Sequence, residues 1–80
     1  MMNRARETAV YKILIQGHLD SHRARRFEGM QITHLPEGIT QLIGPVLDQS
    51  ALYGLLSRIR DLGVPLLLVQ RLDKTNKTTT

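Results

Sequence analysis

Eighty residues with eleven Lys or Arg against seven Asp or Glu, a formal charge of +4 and no cysteine set tight bounds on this chain. The length makes one domain, whose core supplies no more than ~3–5 kcal/mol of net stability without a staple. Without thiols there are neither disulfides nor thiolate metal sites, which leaves close packing or oligomerisation as the route to stability.

The basic start, MMNRARETA, reads as a flexible arm over residues 1–9, with no apolar stretch behind it that would make a signal peptide. "VYKILIQG" alternates: Tyr11, Ile13 and Ile15 point one way, and Lys12, Leu14 and Gln16 the other, which predicts a half-buried strand ended by Gly17. "LDSHRARRFEG" predicts a short helix of about two turns, capped by Asp20 or Ser21 and stopped at Gly29. "MQITHLPEGITQLIGPV" predicts a hairpin, in which Pro36 presets the turn and Gly38 supplies its positive φ. Its second arm, Ile39 to Val46, puts Thr40, Leu42, Gly44 and Val46 on one face. Pro45 has no N–H, so the arm must be an edge there, end there or bulge.

A helix follows. Asp48 is placed as its N-cap, and Leu52, Leu55, Leu56, Ile59 and Leu62 form one helical stripe. Gly63 suits the C-cap, and Pro65 prevents continuation. "PLLLVQRL" gives a last strand apolar on both faces, which predicts a central or covered position. Residues 73–80, DKTNKTTT, have nothing apolar to bury and read as a disordered polar tail, leaving 10–72 as the domain. The order β-α-β-β-α-β predicts an α+β fold: a ferredoxin-like antiparallel sheet with helices on one face. The first helix is too short to cover its half. The bare face, with Leu14, Leu35 and one side of the last strand, becomes a candidate homodimer interface.

The chemistry is sparse. His18 and His22 are four apart with Asp20 between them and His34 further on, but they straddle a strand end and a cap, so no metal or other cofactor is expected. Serines 21, 50 and 57 have no base at motif spacing, neither phosphate-cradling glycine loop occurs, and no catalytic activity is expected. The best binding candidate is "HRARR" at 22–26. Arg23 and Arg26 share a face, Arg25 lies beside them, and the first turn of a helix offers N–H groups to an anion. The same run is otherwise a solvated face. With Tyr11, Phe27 and Tyr53 as the whole aromatic complement, base stacking on the sheet is not expected. Asp61 opposes the helix dipole, and Arg58 three residues earlier is placed to offset it. Gly54, inside the helix, suggests close approach of another backbone.

The run from Gly38 to Val69 resembles a family of short prokaryotic proteins of unknown function. Their pattern is approximately G-x-T-x-L-x-G-x-V-x-D-Q-x-x-L-x-G-x-L-x-x-I-x-D-L-x-x-x-L-x-x-V. It is carried here by Gly38, Thr40, Leu42, Gly44, Val46, Asp48, Gln49, Leu52, Gly54, Leu56, Ile59, Asp61, Leu62, Leu66 and Val69. The resemblance extends back to "YKILIQGHLD" and "RFEGMQIT", and departs where the family places aromatics and this chain has Arg23 and Arg26. It implies one compact unit and no particular activity. The expectation is therefore a non-catalytic cytoplasmic interaction or regulatory module, homodimeric through its sheet. The alternatives are an anion or nucleic-acid binder using 22–26, and a small-ligand-binding regulatory domain.

Overall fold

The computed structural model describes residues 8–72. The arm and tail expected at the two ends therefore lie almost wholly outside the described residues. Alternating apolar residues make β1, Ala9–Gln16, which already includes Ala9, paired with Val46. After it come a short helix α1, Ser21–Ala24, and a 3-10 turn, Arg25–Phe27. Strand β2, Gln31–Leu35, turns through Pro36–Gly38 into β3, Ile39–Val46. Helix α2, Gln49–Leu62, leads to β4, Leu66–Leu72. The domain is α+β, and its four strands lie in the order β2-β3-β1-β4 with every neighbouring pair antiparallel.

Register decides which residues meet the helices. Ile13 pairs with Leu42 and Ile15 with Thr40, so these four share a face and all are fully buried. Val46 continues that face. Phe27 from the 3-10 turn and Leu55 and Ile59 from α2 join the same core, so both helical segments serve one side of the sheet. Within the stripe of α2, Leu55 and Ile59 are buried, while Leu52, Leu56 and Leu62 are half-buried against the core. The opposite face carries Leu14, Lys12 and Gln16 from β1, opposite Gln41, Ile43 and Ile39, and contributes nothing to the core.

Among the described residues, Thr40 is the one fully buried polar side chain. Its hydroxyl donates to the Gly17 carbonyl, while the Gly17 N–H donates to the Gly38 carbonyl. Gln16 adds an Nε2 bond of 3.0 Å to the Glu37 carbonyl, so β1 is latched onto the hairpin turn. The turn needs two left-handed residues rather than the single glycine expected, with Glu37 at φ 67° and Gly38 at φ 74°. A non-glycine residue there costs about 1–2 kcal/mol, and the Gln16 bond lies where it can offset part of that. Gly44 has a different reason to be glycine. A Cβ at that position would stand 2.9 Å from Met30 Cα and 3.1 Å from the Gly29 carbonyl oxygen, so the chain entering β2 crosses against it.

Pro45 is accommodated because the β2 ladder ends at Ile43, leaving β1 as its one strand neighbour. The last strand departs from expectation. It is an edge strand, not a central or covered one, because β1 and β3 occupy the centre. Leu66, Leu67, Leu68 and Val69 are 37–46% exposed. The first helix is also shorter than the two turns expected, with four α-helical residues before the backbone tightens to carry Phe27 inward.

Candidate functional site

Two surfaces stand out, one charged and one apolar. The charged one begins at α1. Asp20 caps it, its Oδ1 accepting from the Arg23 N–H at 2.8 Å. The 3-10 turn drives Phe27 into the core, and the Met30 N–H closes onto the Phe27 carbonyl at 3.1 Å. With Phe27 pointing in, Arg25 and Arg26 are left outside. Helix α2 approaches from the other side and presents Arg58, whose Nη1 donates to the Arg26 carbonyl oxygen at 3.2 Å. The result is an open depression of about 460 Å³ lined by Arg25, Arg26, Glu28 and Arg58.

The sequence groups Arg23 with Arg25 and Arg26, but the depression is lined by the latter two without it, and the Arg23 backbone N–H donates to Asp20. Arg58 takes its place. Nothing local in the sequence pairs residue 58 with residue 26, and Arg58 was expected to offset Asp61. Instead Asp61 meets Arg60 at 3.5 Å, with both side chains exposed; such a pair contributes little.

His18 stacks on His34, with ring centroids 4.9 Å apart and planes inclined at 35°, across the β1 end and β2. Among the described residues, no group of three or more His, Cys, Asp or Glu is arranged to hold a metal ion.

The apolar surface is β4. One ladder ties it to β1, with Val10 opposite Leu72 and Leu14 opposite Leu68, and a bulge at Leu67 shifts the register between Leu14 and Ile15. Among the described residues, its other edge faces no strand. Leu68 shares the helix-free face with Leu14 and Gln41, whereas Leu66 and Val69 stand opposite Ile15 and Ile13 on the helix side, so both faces of this edge carry exposed apolar residues. No described helix is long and apolar enough to cross a membrane.

A small antiparallel α+β domain with one apolar edge is the class these features define. A family-wide sequence profile for a domain of unknown function, DUF8691, matches residues 10–70. The chain belongs to that family, whose profile spans β1 through most of β4. No curated protein matches it, and no solved structure does either.

The motif residues can now be placed. Thr40, Leu42, Gly44 and Val46 are the buried face of β3. Asp48 accepts from the Ala51 N–H at 2.8 Å and caps α2, and Gly63 closes the helix in the left-handed conformation at φ 75°. Leu52, Leu56, Ile59 and Leu62 pack inward. Gly54 is the exception. It is exposed, and a Cβ there would meet nothing within 4 Å among the described residues, so no other described segment packs against it.

Proposed function

We propose that this protein is a non-catalytic interaction module that works as a homodimer joined through its sheet, with β4 at the joint. The observation that carries the reading is the run of exposed apolar residues at 66–69 on an unpaired edge. An edge strand exposes a row of backbone N–H and C=O groups that templates another strand, and natural edges are normally blunted by charge, proline or bulges. Here the bulge at Leu67 interrupts the start of the strand, while the ladder from Leu68 to Leu72 is regular. A second copy is the occupant favoured, because two antiparallel β4 strands about a twofold axis use the same patch twice.

The order β2-β3-β1-β4 within a β-α-β-β-α-β chain supports a ferredoxin-like assignment of the fold. The motif residues that pack the core and cap α2 support a structural rather than catalytic role for the family pattern. The absence of cysteine fits a reducing cytoplasm.

Native mass spectrometry of the full chain tests the reading. A dimer is expected. A monomer at every concentration overturns the homodimer.

A further inference from the structure

We propose that the depression between the 3-10 turn and α2 is a binding site for a small phosphorylated ligand, held by Arg25, Arg26 and Arg58. Three arginines from two separate elements line it, with Glu28 as the single carboxylate of the lining. Among the described residues, no salt bridge engages any of the three arginines. Arg58 spends one Nη1 bond on the Arg26 carbonyl oxygen, which ties α2 to the segment carrying the other two. Its other donors stay available, since guanidinium carries five N–H groups. That bond fixes the spacing of the cluster before a ligand arrives, so less side-chain freedom remains to be lost on binding. Guanidinium forks match phosphate oxygens in pairs.

The size and shape favour a small ligand over a nucleic-acid strand. The arginines meet in one depression rather than along a stripe, and a strand-binding surface needs exposed aromatics for stacking. Phe27 is buried and Tyr11 packs against the core, which leaves Tyr53 on α2 as the exposed aromatic. The depression is open and wider than inorganic phosphate, so a phosphate monoester can seat its phosphate on the arginines with its organic body toward solvent. Glu28 opposes a bare anion and can accept from a hydroxyl on that body.

The test is a titration of the full chain at low salt, followed by backbone amide NMR, with inorganic phosphate, adenosine monophosphate and a single-stranded DNA oligonucleotide as probes. Saturable shifts centred on 25–28 and 58 are expected, with the nucleotide tighter than inorganic phosphate. Arg25→Gln, which breaks no hydrogen bond of the fold, should weaken the nucleotide tenfold or more, and Arg58→Gln at least as much. Glu28→Gln should tighten inorganic phosphate several-fold, a sign that a merely structural role for the segment would not produce. Absence of saturation with both small probes overturns the proposal. So does nucleotide binding unchanged in Arg25→Gln and Arg58→Gln, or binding confined to the oligonucleotide. The subunit number plays no part in these readings, so the site and the homodimer stand or fall separately.

Discussion

The two edges of this sheet are built from opposite materials. At one edge, β2 reads Gln-Ile-Thr-His-Leu, so that three of its five residues are polar, and its inner end is pinned by the hairpin turn that Gln16 and Thr40 hold. At the other, β4 opens Leu-Leu-Leu-Val, and those four residues are 37–46% exposed. The difference shows where the molecule stops by itself. β2 is a solvent-compatible boundary, whereas β4 has the composition of a covered strand in an uncovered place. Burial of apolar surface contributes about 25 cal/mol per Å², so a small domain with such an edge gains substantially from a partner that covers it.

The largest expected effect lies in what both edges share. Ile59 is 2% exposed and sits between α2 and the central strands, so Ile59→Ala should lower stability by about 2–5 kcal/mol in denaturant unfolding. Leu56→Ala, at a half-buried position, should cost less. If the two were equal, or their order reversed, the centre of the core would be misplaced. Next comes the anchor of the β2 edge. Gly44→Ala puts a Cβ against the backbone at Met30, and overpacking of this kind costs about 1–3 kcal/mol. Hydrogen exchange should then show β2 amides losing protection before those of β4. Uniform loss across the sheet would mean that the crossing at residues 29–30 does not govern that edge.

The smallest effect has the opposite sign. Gly54 is exposed within α2 with open space around it, so Gly54→Ala should stabilise the isolated chain by about 0.5–1 kcal/mol in thermal unfolding. Destabilisation would show that something outside the chain's own fold occupies that space.

Much of this was legible in the sequence, for reasons of range. The face of β3, the caps Asp48 and Gly63 and the stripe of α2 follow from side-chain periodicity and terminal hydrogen bonding, which are local. Strand order is not local. The apolar character of β4 says that the strand should be covered, but not that β1 would take the central place beside β3. Arg58 was hidden for the same reason, because its partner is the Arg26 carbonyl, 32 residues away in the chain, rather than Asp61 one turn away. The left-handed Glu37 was hidden behind Gly38, which alone satisfies the usual turn rule.

The central claim is that β4 joins two copies and β2 does not. Sedimentation equilibrium on wild type, Leu68→Lys and Thr33→Lys tests it most directly, since both substitutions place one charge on the helix-free face, one at each edge. Wild type and Thr33→Lys should be dimers. Leu68→Lys should dissociate at least tenfold more readily, about 1.4 kcal/mol, while keeping the circular dichroism of the folded chain. A monomeric wild type, or a dimer broken by Thr33→Lys and untouched by Leu68→Lys, would contradict it.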